Sequence, residues 1–181
     1  MPTTKPIPVK DLKLDLNNFR TVPQSKETDA VHTMISIAPD QFWALAESLL
    51  DSGYLPTENI IVLKSGDDLI VKEGNRRIGA LKLILGYIKS HAINIPENVD
   101  EKIKAVTAEW KSENEKVSCA IYDAKEADVV DKIVALVHGK GDKASRDKWE
   151  SVATARHNRD KNKASEPALD LLENIWLTAK T

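Results

Sequence analysis

The run from Ile60 to Lys82 restricts this chain more than any other part of it. Ile60-Ile61-Val62-Leu63 and Leu69-Ile70-Val71 are apolar and β-branched, and Lys64-Ser65-Gly66-Asp67-Asp68 between them has the composition of a hairpin turn. Strands joined so closely are expected to pair. The second strand continues through Lys72-Glu73-Gly74-Asn75-Arg76-Arg77 into a helix with Ile78, Leu81, Leu85 and Ile88 on one apolar stripe. Gly79 would let the first turn of that helix lie close to the sheet. A strand feeding a helix through a glycine is therefore the unit around which the rest must pack.

That junction has a chemistry of its own. A helix start leaves backbone N–H groups without partners and carries the positive end of the helix dipole. A glycine there lets a ligand approach, and two arginines beside it can present paired donors to a phosphate. Gly74, Asn75, Arg76 and Arg77 are thus candidate anion ligands. The same residue types also make an ordinary solvated ion-pair cluster of Glu73, Arg76 and Arg77. Glu73 is a candidate base or metal ligand, or a structural partner of the arginines.

Upstream, Pro6-Ile7-Pro8-Val9 with Leu12, Leu14 and Leu16 reads as one or two extended strands, because proline pushes its preceding neighbour out of the helical region. Thr21 to Asp29 is polar and reads as a surface loop, and Ala30 to Ile37 fits a short helix. From Asp40, Phe42, Leu45, Ala46, Leu49 and Leu50 share a helical face that Gly53 would end in the left-handed conformation.

Downstream, Asn94-Ile95-Pro96 breaks the chain, and Val99, Ile103, Val106 and Trp110 predict one helix ending near Glu113. Residues 92–115 read as a helical insertion. Val117, Cys119 and Ile121 alternate with more polar neighbours as in a half-buried strand. Asp123 and Glu126 form a capping box opening a helix with Val130, Ile133, Val134 and Val137 inward.

His138 ends that helix and could bind phosphate, shuttle a proton or cap the last carbonyls. Between His138 and Lys163 the chain carries eight Lys or Arg against four acids. Lys140, Lys143, Arg146, Lys148 and Arg156 from this stretch are the candidate DNA contacts, since such groups neutralise phosphates without reading sequence. They could equally form a solvated helix face. No helix-turn-helix is evident. Ala168, Leu169, Leu172, Ile175 and Trp176 outline a last amphipathic helix that reaches Thr181 uncapped, as in a chain that continues.

Composition excludes several classes. A chain of 181 residues with 41% hydrophobic and 30% charged residues suits one ordinary domain with a helical extension. Its net charge of -2 gives no global attraction to nucleic acid or membrane, so polyanion binding must be local. No apolar run suits a bilayer span and Met1-Pro2-Thr3-Thr4-Lys5 lacks a signal-peptide core, which makes a cytoplasmic location the expectation. One cysteine, Cys119, precludes an intrachain disulfide. His32, His91 and His157 have no metal-site spacing, and no metal site is expected from the protein side chains.

The order of elements and the central motif resemble the ParB N-terminal domain and its relative sulfiredoxin. Leu14-Asp15-Leu16-Asn17-Asn18-Phe19-Arg20 resembles that family's asparagine-to-arginine box, and Glu73-Gly74-Asn75-Arg76-Arg77-Ile78-Gly79-Ala80 resembles its glycine, glutamate, arginine, arginine box. The likeness runs from about Pro6 to Ile88 and, more loosely, from Val117 to Ala155. It implies an α/β fold, a small mixed sheet with packed helices, over residues 1–138, followed by a helical extension over 139–181. It further implies a bound nucleoside triphosphate, CTP as in ParB proteins or ATP as in sulfiredoxin, with Gly74, Arg76 and Arg77 on the phosphates and Arg20 nearby.

The departures bear on activity. Asn75 stands where sulfiredoxin has its reactive cysteine, and Cys119 lies on another element, so sulfinic acid reduction is not expected. Asn75 also replaces a ParB glutamate. His138-Gly139 falls where ParB proteins have a glutamate-asparagine pair that assists magnesium and hydrolysis. Binding should therefore survive better than turnover. The reading is a nucleotide-dependent DNA-binding protein, with DNA and nucleotide as partners, Mg as an accompanying ion, and a homodimer compatible with it. The alternatives are a ParB-like NTPase or nuclease using Glu73 or His138, and a non-catalytic interaction module with a vestigial pocket.

Overall fold

A computed structural model describes residues 2–17, 24–55, 59–89 and 93–138, and residue 167. The chain divides into two compact units, Met1–Val137 and His138–Thr181. The first is a mixed α/β domain on a five-stranded sheet.

The opening segment gives two strands, β1 (Thr3–Pro8) and β2 (Leu12–Leu14), with a single 3-10 turn between them. Helices α1 (Glu27–Ile37) and α2 (Pro39–Ser52) follow, then the hairpin β3 (Ile60–Ser65) and β4 (Asp68–Glu73) and the helix α3 (Asn75–Ile84). Helices α4 (Glu97–Lys104) and α5 (Ala108–Asn114) lead to β5 (Lys116–Asp123) and α6 (Ala127–His138). The strand order is β1-β5-β3-β4-β2. β3 pairs antiparallel with β4 and parallel with β5, while β2 joins β4 in parallel and β1 joins β5 antiparallel. Pro6 and Pro8 are tolerated because β1 is an edge strand, where a missing N–H breaks no inner ladder.

Phe42 and Ala46 of α2, Val31 of α1 and Ile78 and Leu81 of α3 are fully buried in one core with Leu12, Ile60, Val62 and Val71 of the sheet. Burying such side chains gives about 1.5–3 kcal/mol each and is what sets the helices on the sheet. Among the described residues no helix is long and apolar enough to cross a membrane.

Several expectations are corrected. α1 starts at Glu27, inside the segment read as loop, because the Glu27 carboxylate is held by a lysine from another helix. α3 is not an amphipathic helix with one stripe. Every residue from Ile78 to Ile84 is buried, and Leu85 and Ile88 lie beyond its end. Gly79 admits α1 rather than the sheet, since a Cβ there would lie 3.2 Å from Val31 Cγ2 and 3.3 Å from Met34 Cε. The expected single helix to Glu113 is two, because Thr107 leaves the helical conformation and its hydroxyl accepts from Trp110 N at 3.2 Å. Val137, expected inward, is exposed, as are Val129 and Leu136. The helix outlined by Ala168 to Trp176 lies outside the described residues.

Candidate functional site

The site is built where β4 hands over to α3. Gly74 sits at φ 97° and ψ 14°, a left-handed conformation that places the strand end and helix start at a sharp angle. A side chain would also collide, its Cβ coming 2.5 Å from Ile60 Cδ1. Glycine has no side chain with which to cap α3, so the first-turn N–H groups receive no acceptor from the cap residue.

The junction is fixed from below by a buried polar network. Asn75 accepts a hydrogen bond from the Asp15 N–H at 2.9 Å and donates to the Val71 carbonyl at 2.8 Å. One side chain thus ties the end of β2 to β4 and to the first turn of α3. Asp15 in turn accepts from Lys72 Nζ at 2.7 Å and from the Asn17 N–H at 3.1 Å. Gln24 N–H donates to the Leu16 carbonyl at 2.8 Å, so the chain leaves at Asn17 and returns to the same place.

A second, part-buried pair involves the last turn of α3, two turns beyond Asn75. Lys82 Nζ is 2.7 Å from both Glu27 carboxylate oxygens, and Glu27 also accepts from the Leu14 N–H at 2.7 Å. Desolvating an ammonium is tolerable only with such a close partner. Together the two pairs fix the backbone from Leu14 to Asn17 along α3, from its first turn to its last.

The arginines have different neighbours. Arg76 Nη1 donates to Gln41 Oε1 at 3.0 Å, and its Nε is enclosed with no hydrogen-bond partner among the described residues. Gln41 lies in the first turn of α2, so one guanidinium reaches between two helix starts. Neither helix has a side-chain cap. Arg77 instead places its charge near Tyr54, beyond the other end of α2. Burial raises the pKa of that phenol, and the Arg77 charge opposes the rise. The structure therefore brings Gly74, Arg76 and the start of α2 together, while the Arg77 charge is felt at Tyr54.

The other sequence candidates fall as follows. Asn75 belongs to the network beneath the turn, so its side chain is engaged by backbone groups and only its main-chain N–H faces the question of an anion. Glu73 is the half-buried last residue of β4, in register with Ile61 of β3. His138 is the last residue of α6. Arg20, Lys140, Lys143, Arg146, Lys148 and Arg156 lie outside the described residues. Cys119 is fully buried, and burial pushes its thiol up to about 12. A thiol kept protonated in this way is no nucleophile at neutral pH.

Sequence reasoning missed Gln41, Glu27, Lys82 and Lys72. One signal was available for Lys82: it stands four residues after Ile78, on the same helical face as the core stripe. Asp15 lay inside a quoted motif without a role. Nothing local marks Gln41 or Glu27, whose partners come from other elements.

The fold and this junction define a mixed α/β protein with a basic, uncapped helix start opened by a left-handed glycine. No family model matches the chain, and no curated protein matches it in sequence. Among solved structures it is similar to the C-terminally truncated chromosome-partitioning protein ParB from Caulobacter crescentus, complexed with CTP-γ-S. The TM-score is 0.48 at 13% identity, with 90% of this chain and 66% of that chain covered. This chain thus spans slightly less than two thirds of that truncated chain's length.

Proposed function

We propose that the chain is a nucleotide-dependent DNA-binding protein of the ParB-like type, with nucleoside triphosphate phosphates held at the Glu73–Arg77 turn. The observation that carries this is Gly74 opening an uncapped α3 beside Arg76, whose Nε is enclosed without a partner and whose Nη1 points to the start of α2. Two helix starts and one guanidinium supply N–H donors and positive potential in a small space, the chemistry that phosphate oxygens take up. Anion binding would release Gln41, a neutral and exposed partner, in favour of a charged one.

In this reading Gly74, Asn75 and Arg76 meet the phosphates, Asn75 through its main chain. Arg77 turns from Tyr54 toward the same anion. Arg20 lies three residues past Asn17, whose N–H is fixed by Asp15. The nucleotide is CTP or ATP with its accompanying Mg. Residues 1–138 form the nucleotide-binding domain and 139–181 the extension, where Lys140, Lys143, Arg146, Lys148 and Arg156 touch DNA. The sequence resemblance to the ParB and sulfiredoxin boxes supports the same assignment.

A thermal shift screen of the full chain with each nucleoside triphosphate, with and without magnesium, tests the reading. A ligand at 100 times its dissociation constant adds about 2.7 kcal/mol of stability. Arg76→Ala should abolish the shift and Arg77→Ala should reduce it. No shift with any nucleotide would refute the reading and leave the interaction module. DNA retention that falls steeply with salt, and is lost on changing Lys140, Lys143 and Arg146 to alanine, tests the second half.

A further inference from the structure

At the end of α2 remote from Gln41, a cavity of about 220 Å³ opens against the junction of α4 and α5. Leu50, Ala105, Val106 and Trp110 form its apolar walls, with Asp51 and Lys102 beside them. Trp110 packs partly on the core, and its Nε1 is enclosed with no hydrogen-bond partner among the described residues, an uncommon condition for a buried donor. The cavity takes no part in the junction at Gly74.

The helices that wall it are acidic on balance, although Asp51 and Lys102 at its rim pair with each other. From Glu47 onward, α2, α4 and α5 carry seven carboxylates against three lysines. Two of those lysines, Lys102 and Lys104, are already paired with Asp51 and Asp100. The unbalanced carboxylates repel phosphate, which makes nucleic acid a poor occupant. A second copy is also disfavoured, because a twofold contact would set this acidic face against itself.

We propose that this cleft docks a basic peptide segment of a partner protein, one bulky apolar side chain entering between Leu50, Val106 and Trp110 while flanking lysines or arginines meet the carboxylates. The volume suits this: about 150 Å³ of apolar space already holds a benzene ring. An apolar anchor in a pocket supplies most of the affinity in such contacts, and the surrounding charges supply orientation and rate.

The test uses the full chain and a capped peptide of six lysines flanking a central phenylalanine, titrated calorimetrically at low salt. The indole N–H resonance of Trp110, assigned by its loss in Trp110→Phe, should shift on binding. Replacing the peptide phenylalanine with alanine should weaken binding at least tenfold. Ala105→Trp, at an exposed position, should fill the mouth and weaken it comparably. The surface pair Glu101→Lys and Glu109→Lys, which leaves the cavity intact, should weaken binding at low salt and lose its salt dependence. No binding at millimolar peptide overturns the proposal. So does equal binding by the alanine peptide, which is charge attraction alone. A concentration-dependent dimer of the chain that Ala105→Trp abolishes overturns it too, by assigning the cleft to a second copy.

Discussion

Two ion pairs of nearly equal length show how differently the domain treats its two polar regions. Beneath α3, Lys82 lies 2.7 Å from Glu27 with 4% of its side chain exposed. Between α4 and α2, Lys102 lies 2.8 Å from Asp51 with 42% exposed. Distance alone would equate them. Dehydration separates them, because Lys82 has no water to fall back on if its partner goes, whereas Lys102 does. The inner face of α3 is a place where polar groups have been committed to one arrangement; the α4–α5 region keeps its charges in solvent.

Removing Lys82 should break this contrast most visibly. Lys82→Ala leaves a cavity and a Glu27 that has lost its cation but is 32% exposed, and should cost about 3 kcal/mol, the low end for breaking a buried pair, read from urea unfolding. Lys82→Met keeps most of the volume, and Glu27 still accepts from Leu14 N–H. If the methionine variant recovers most of the loss, the pair positions the chain more than it stabilises it. If it is as damaged as the alanine variant, the charge itself matters.

The two buried asparagines sharpen the comparison next. Asn75→Ala strands the Asp15 N–H, at about 1–3 kcal/mol for one unmatched buried donor, and takes a donor from the Val71 carbonyl. Asn114, in the other region, accepts from Tyr54 N–H and donates to the Trp110 carbonyl, a group that the helix ladder also serves. Asn114→Ala should therefore unfold at higher urea than Asn75→Ala. Equal losses would mean that the network under α3 is no more tightly committed than the α2–α5 corner.

Gly74→Ala comes third, at about 1–3 kcal/mol, because alanine must take a positive φ and displace the flexible end of Ile60. Its nucleotide-induced thermal shift should fall by more than its stability does.

A pH titration separates burial from exposure at a single group. The folded Cys119 thiol holds its proton to about 12, while the ordinary value is 9.0. Between those limits the unfolded chain loses a proton that the folded chain keeps. Stability is then fully present below 9.0 and declines as pH rises toward about 12. Cys119→Ala should flatten that decline, and thiol reagents at pH 8 should label only the unfolded wild type.

The smallest effect belongs to Lys102→Ala. Its hydrogen bond to Asp51 raises the lysine pKa, but the group is in solvent and salt screens it. Its unfolding midpoint should match the wild type within error in 0.15 M salt, on the order of physiological ionic strength.

Local signals carried much of the fold. The hairpin, the helix after Gly74, Gly53 ending α2 and the Asp123–Glu126 capping box all have causes within a few residues of themselves, and each is found. The errors are of another kind. Periodicity ran through Thr107 because one hydroxyl, not an apolar gap, divides α4 from α5. Glu27 looked like loop because the lysine that orders it is 55 residues away. In the candidate site, the glycine and Arg76 were legible as types; the glutamine that receives Arg76, and the direction of Arg77, were not.

By itself the sequence determined the strand pair, the turn that only glycine suits at Gly74, and the presence of two guanidinium groups just past it, because these depend on backbone freedom and side-chain type. Tertiary structure alone decided that Asn75 serves the backbone, that Lys82 is buried while Lys102 is not, and that Arg76 meets the start of α2. Those outcomes depend on which groups from distant parts of the chain share a water-free space, and no local pattern records that.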